Sequence, residues 1–156
     1  MTRSRMLAPG AVLVAVILGV FAGVQAHLAA STADARADAL DAAKTRVPVL
    51  LSYDKTTLDE DLDRARAQTT GSFADDYEKI LTEVVEPTAK RRGISTKATV
   101  SAAGVVSGDR DEAVVLLFLT QNTTAKGNRS SVSGSRVEVT LKRTGDDWKI
   151  AGLKPV

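Results

Sequence analysis

The sequence predicts an α+β domain behind an N-terminal membrane anchor: a single transmembrane helix, then three helices packed on a curved, mainly antiparallel four-stranded sheet. Three observations predict it. No charged residue occurs between Arg5 and Asp34, and Ala11 to Val24 is almost wholly aliphatic. From Asp34 to Gly93 apolar residues recur at three- and four-residue steps, the period of a helix; beyond Gly93 the period falls to two, that of a strand. Helices followed by a run of strands argue for helices on one face of a meander sheet.

The anchor comes first. Residues 6–30 are enough to cross a hydrocarbon layer, which takes about 20 residues. Pro9 falls in a first turn that tolerates it. Arg3 and Arg5 precede the span, so residues 1–5 are expected in the cytoplasm and residues 31–156 outside it. A cleaved signal peptide is the alternative: Val24-Gln25-Ala26 and Ala29-Ala30-Ser31-Thr32-Ala33 both offer small-residue cleavage sites. Either way the domain lies outside. His27, the only histidine, falls near the outer end of the span, where a neutral imidazole reaches interfacial water.

Leu40, Ala43, Val47, Leu50 and Leu51 outline the first helix of the domain, with Pro48 bending it without ending it. Thr57-Leu58-Asp59-Glu60 reads as a capping box opening a second helix with Leu58, Leu62 and Ala65 on one face. After a turn at residues 68–72, Ser72 is the expected cap of a third helix, with Asp75 and Asp76 at its positive end. Phe73, Tyr77, Ile80, Leu81, Val84 and Val85 form its apolar stripe, Pro87 should kink it, and Lys90-Arg91-Arg92-Gly93 closes it.

Residues 97–107 read as a strand whose Ala98, Ala102, Ala103 and Gly104 suggest a bend or bulge. Residues 113–120 form a continuous apolar run, as in a central strand buried on both faces. Residues 122–135 are polar and contain glycine, and read as a long loop or a flared hairpin end. Residues 136–142 alternate cleanly, and Thr144-Gly145-Asp146-Asp147 turns into a last strand with Trp148, Ile150 and Leu153.

Composition narrows the chemistry. Of 21 Lys and Arg, only Arg3 and Arg5 precede the apolar span; the other 19 balance the 19 Asp and Glu that follow it. The domain is formally neutral, which argues against nucleic acid as a partner. Its short basic run, Lys90-Arg91-Arg92, suits a helix C-terminus. There is no cysteine, hence neither disulfide nor thiolate, and no metal-ligand spacing, phosphate loop or nucleophile elbow. The expected lists of catalytic, cofactor-binding and metal-binding residues are empty, and no cofactor is expected. Tyr53 or Tyr77 with a helix carboxylate is the one conceivable proton-transfer pair, and Glu138 belongs to the outward set of its strand. Asn122-Thr123-Thr124 and Asn128-Arg129-Ser130 match glycosylation acceptors, a tripeptide common in polar loops.

The order of elements resembles the cystatin-like cone of the nuclear-transport-factor-2-like superfamily. A finer similarity runs through residues 49–61, with Tyr53-Asp54 before Thr57-Leu58, and through Thr70-Gly71-Ser72-Phe73, Tyr77 and Val84-Val85-Glu86-Pro87. It continues in residues 102–107, Val115-Leu116-Leu117-Phe118 and Trp148. These segments resemble actinobacterial Mce-associated membrane proteins over nearly the whole chain. The resemblance implies a non-catalytic accessory role, stabilising or assembling an Mce-type lipid importer, with Mce proteins and their permeases as partners and the bilayer engaged through the anchor. Three other readings stand beside it. One is a tethered cone holding a sterol-like or acyl ligand. Another is a steroid- or polyketide-type acid–base enzyme. The last is a docking module of the kind that similar cones supply to secretion machinery. In all but the enzyme, tethering raises local concentration, and the contact falls to the sheet end near residues 122–135 and to an exposed strand edge.

Overall fold

The computed structural model describes residues 8–127 and 129–156, the side chains from residue 29 onward. The expected anchor at residues 6–30, with Arg3, Arg5 and His27, lies almost wholly outside the described side chains. Among the described residues no helix is long and apolar enough to cross a membrane. The backbone of α1 nevertheless runs unbroken from Ala8 to Leu51, 44 residues, with no interruption where the anchor was expected to end at residue 30.

The inward row of α1 is Ala35, Ala39, Ala43, Val47 and Leu50, all buried. Small side chains at four-residue steps let the helix lie close against the sheet, while Leu40 and Leu51 flank it half-buried. Polar ties fix its position. Arg36 Nε donates to the Gly108 carbonyl at 2.7 Å, and Arg46 reaches both Gln68 and Asp147. Pro48 lies inside α1, which continues to Leu51.

α2 (Leu58–Arg66) buries Leu58, Leu62 and Ala65 as the periodicity requires. Its expected capping box does not form. The Thr57 hydroxyl donates to the carboxylate of Asp61 at 2.8 Å, because Asp61 turns back into the loop and is the better acceptor. α3 (Ser72–Ile80) also starts differently: Gly71 is the cap, at φ 64 and ψ −156, and Ser72 is the first helical residue. A π-turn (Leu81–Val85) then leads into α4 (Glu86–Arg92), which ends at Gly93 in the left-handed region. The π-turn ends two residues before Pro87, whose nitrogen has no hydrogen to donate. Widening the helix there divides the apolar stripe. Tyr77 and Leu81 are buried, whereas Ile80 and Val84 are 50% and 57% exposed.

The sheet has the order β1-β2-β3-β4, antiparallel throughout: β1 (Ser95–Gly108), β2 (Glu112–Ala125), β3 (Arg129–Thr144) and β4 (Asp147–Pro155). Register shifts lie between Val100 and Ala102 and between Val105 and Ser107, so β1 bulges within and beside the small-residue stretch. β2 departs from expectation. Ala113, Val115, Leu117 and Leu119 are buried, but Val114 and Leu116 are only half-buried and Phe118 is 41% exposed. The helices cover one face of the sheet, and nothing described covers the other. Of the two readings of residues 122–135, the hairpin end holds: β2 and β3 stay paired without a register shift from Glu112↔Lys142 to Ala125↔Arg129. Threonine and serine satisfy a ladder with both faces wet, and Gly127, at φ 79, supplies the left-handed residue of a short turn. In β3 the expected alternation holds, with Val137, Val139 and Leu141 inward; Trp148 and Ile150 of β4 join them.

Candidate functional site

A groove of about 680 Å³ lies at the end of the molecule where α1 stops. Its wall is built by the chain leaving α1. Tyr53 pairs with Thr96 through two backbone bonds of 2.9 and 2.8 Å, and the Ser52 hydroxyl accepts the Ala98 amide at 2.9 Å. This stitches the segment after α1 along the edge of β1. The groove is lined by Pro48, Tyr53, Asp54, Asp61, Arg64 and Lys97 among others, with Asn122 and Ser130 from the β2–β3 hairpin.

Asp61 organises the wall. Its carboxylate accepts the Asp54 amide and the Thr57 hydroxyl, each at 2.8 Å, and pairs with Arg64. Asp54 in turn accepts the amide and hydroxyl of Thr56 at 2.8 and 2.5 Å; these bonds hold its carboxyl below the usual range. Burial pushes the Tyr53 phenol up. The groove's charged groups are thus largely engaged in holding the loop. They offer a mixed, amphipathic recess more than a poised acid–base pair.

The two tyrosines weighed from the sequence part company. Tyr53 contributes its backbone to the sheet and its ring to the groove, with the phenol expected to find a backbone partner. It is Tyr77 that makes such a bond, donating to the Leu50 carbonyl at 2.6 Å in the core and stacking on Phe73 at 5.9 Å. Burial raises its pKa far above the usual phenol range. Glu138 faces outward and pairs with Lys154 at 2.8 Å. Asn122 lines the groove, while Asn128 lies outside the described residues. Among the described residues no group of three or more His, Asp or Glu is placed to hold a metal. Sequence reading passed over Asp61, though its position four residues after Thr57 was a usable signal: those two side chains meet on one helical turn.

The interior between helices and sheet is filled. Val47, Leu62, Leu81, Val115, Leu117, Val139, Leu141 and Ile150 are fully buried and contiguous. Trp148 closes one end, its ring under the Arg143 guanidinium at 5.3 Å. A second recess, of about 460 Å³, sits on the other side of the sheet between Phe118, Gly134, Arg136, Pro155 and Val156.

A family model described as "Uncharacterized protein Rv1363c/MT1408-like" matches residues 4–156. The chain belongs to this Rv1363c/MT1408-like family. Among its relatives in Mycobacterium tuberculosis, the outer membrane protein Rv1973 is 40% identical over 115 residues, covering 74% of this chain and 72% of that protein. Rv1362c is 39% identical over 119 residues, 76% of this chain but 54% of the relative, so the chain spans about half of that protein. Solved structures share the fold at low identity. An IcmL-like type IV secretion system protein from Legionella pneumophila superposes with a TM-score of 0.66 at 9% identity, covering 78% of this chain and 91% of its own. Agrobacterium tumefaciens VirB8 gives 0.62 at 10%, covering 79% and 92%. The expected cone of the nuclear-transport-factor-2 kind is the fold this family member has.

Proposed function

We propose that this family member is a non-catalytic, membrane-anchored accessory protein whose extracytoplasmic domain stabilises or assembles an envelope complex, of the Mce lipid-import type. The observation that carries the reading is the solid interior. Where a cone enzyme keeps a dry chamber with a carboxylate and a His or Tyr, this cone is packed with aliphatic side chains, and its buried phenol is tied to a carbonyl. What remains to act is surface. Three further points support the reading: the apolar N-terminal segment, a relative named an outer membrane protein, and a fold shared with periplasmic domains of secretion systems. The segments similar to Mce-associated proteins supply the partner: Mce proteins and their permeases.

The anchor acts by confinement, raising the local concentration of the domain near a membrane-bound partner. The domain freed of residues before Asp34 and exported with a cleavable signal is expected to complement lipid uptake weakly while keeping its fold. Full complementation by the untethered domain would falsify the tethering. Mild-detergent pull-downs should recover Mce proteins and permeases with the full chain. A second reading, a tethered lipid-binding cone, is favoured by the 680 Å³ groove, a volume suited to a small ligand. Co-purification of a lipid lost on Tyr53→Trp would select it.

A further inference from the structure

The edges of the sheet are treated unequally. β1 is closed at its start by Ser52 and Tyr53. β4 is closed in its middle: Ile150 bonds to Gln68 and Thr70, the segment between α2 and α3. Half of β3 has no such cover. β4 pairs only with Val137 to Thr144, so Arg129 to Ser135 have β2 on one side and, among the described residues, no strand on the other.

The Val156 amide donates to the Arg136 carbonyl at 3.1 Å, so Arg136 points its backbone to the β4 side. Backbone direction alternates along a strand, and the β2–β3 ladder has no register shift. Ser130, Val132 and Gly134 therefore turn their N–H and C=O groups to the open edge. All three residues are exposed. Folded proteins blunt such edges with charges, proline or bulges. Between Ser130 and Ser135 there is no charged residue, no proline and no bulge.

Cations stand at the two ends of this edge. Arg129 and Arg136 have no carboxylate partner among the described residues. Next to Arg129 the fold adds Lys126, whose amide bonds to the Arg92 carbonyl and whose ammonium reaches the Arg91 carbonyl. Val132, 67% exposed, and Phe118 lie on the same sheet face as Arg136 and supply apolar contact.

We propose that the open half of β3 receives an extended, acidic segment of a partner protein as an added strand, carboxylates at its ends pairing with Arg129 and Arg136. Backbone hydrogen bonds hold the strand, and the two arginines, about 23 Å apart along the backbone and on opposite faces, select for charge. A second copy of this chain fits worse. Antiparallel pairing centred on Val132 sets Arg129 opposite Ser135 of the other copy, so a second copy brings it no carboxylate. The proposal rests on the docking role above but is tested apart from it.

The probe is a dye-labelled peptide of alternating threonine and valine with glutamates at both ends, titrated against the full chain in detergent and followed by fluorescence anisotropy. Saturable binding is expected, weakening with salt and absent for the same peptide ended in lysines. Val132→Pro removes an edge donor that bonds to nothing described, so it should leave thermal unfolding unchanged and weaken binding about tenfold. The pair Arg129→Glu and Arg136→Glu should weaken it about as much. Equal binding by Val132→Pro or by the lysine peptide overturns the proposal. So does a dimer in sedimentation velocity that Val132→Pro dissolves and the peptide leaves intact. Either failure leaves the lipid-uptake test of tethering untouched.

Discussion

Asp61 shows how one carboxylate can set a loop. It closes Asp54, Thr57 and Arg64 onto one point, so its removal leaves a part-buried hydroxyl and an amide without their acceptor. Asp61→Ala is expected to cost about 1–3 kcal/mol in urea unfolding, and Asp61→Asn less, since an amide oxygen still accepts. Tyr77 does the same for the end of α1: its hydroxyl satisfies the Leu50 carbonyl, one of the last acceptors of that helix. Tyr77→Phe should therefore cost about 1 kcal/mol without altering the fold. Asp54 and Asp109 are both held below the ordinary carboxylate value of 3.8 by hydrogen bonds, from Thr56 in one case and from the amides of Asp111 and Glu112 in the other. A depressed folded-state pKa means that the unfolded chain takes up protons first as pH falls. The stabilisation is whole above 3.8 and is lost as pH drops through the lower folded values. Replacing both residues with Asn should lower stability at neutral pH and flatten its acid limb in pH-dependent thermal melts.

At the scale of elements, the two faces of β2 make the sharpest test. Leu117 is fully buried under the helices, and its neighbour Phe118 stands on the uncovered face. Leu117→Ala is expected to cost about 2–5 kcal/mol, Phe118→Ala under about 1 kcal/mol, measured by denaturant midpoints. Reversed magnitudes would mean that the helices pack on the other side. The entry to α3 is a second test. Gly71 holds φ 64 with ψ −156, a conformation essentially confined to glycine, and open space surrounds it. Gly71→Ala should cost about 1–3 kcal/mol from backbone strain alone.

For the molecule as a whole, α1 runs as one long helix along the sheet. From Ala30 to Leu51 it spans about 30 Å. Its Arg36 and Asp38 reach Gly108 at the β1–β2 turn and Arg143 beside the β3–β4 turn, and its end lies by Tyr53 and the β1 start. The groove and the basic hairpin tip thus occupy the end of the domain away from the expected anchor. A formally neutral domain is locally uneven: Arg91, Arg92, Lys126 and Arg129 gather at one pole, while Asp109, Asp111, Asp146 and Asp147 lie in the turns at the other. Salt should weaken contacts made at the distal pole and leave the thermal stability of the filled core nearly unchanged.

Residue spacing was enough for the element order, the change of period at Gly93, the inward rows of α2, β3 and β4, and the α+β class. Each follows from spacing along one element, which a linear pattern records. Packing between elements set what spacing cannot express. An apolar run such as residues 113–120 reads alike whether one face or both are covered, and only the helix layer on one side settled it. Polar residues 122–135 read as a long loop or a flared hairpin end because they carry no apolar alternation, and cross-strand pairing makes them the hairpin. Thr57 keeps the N-cap position of α2 but turns its hydroxyl to Asp61, and Gly71 takes the N-cap of α3 in place of Ser72. Charges balanced in the sum separate in space because Lys126 and Arg92 meet only when the hairpin folds back on α4.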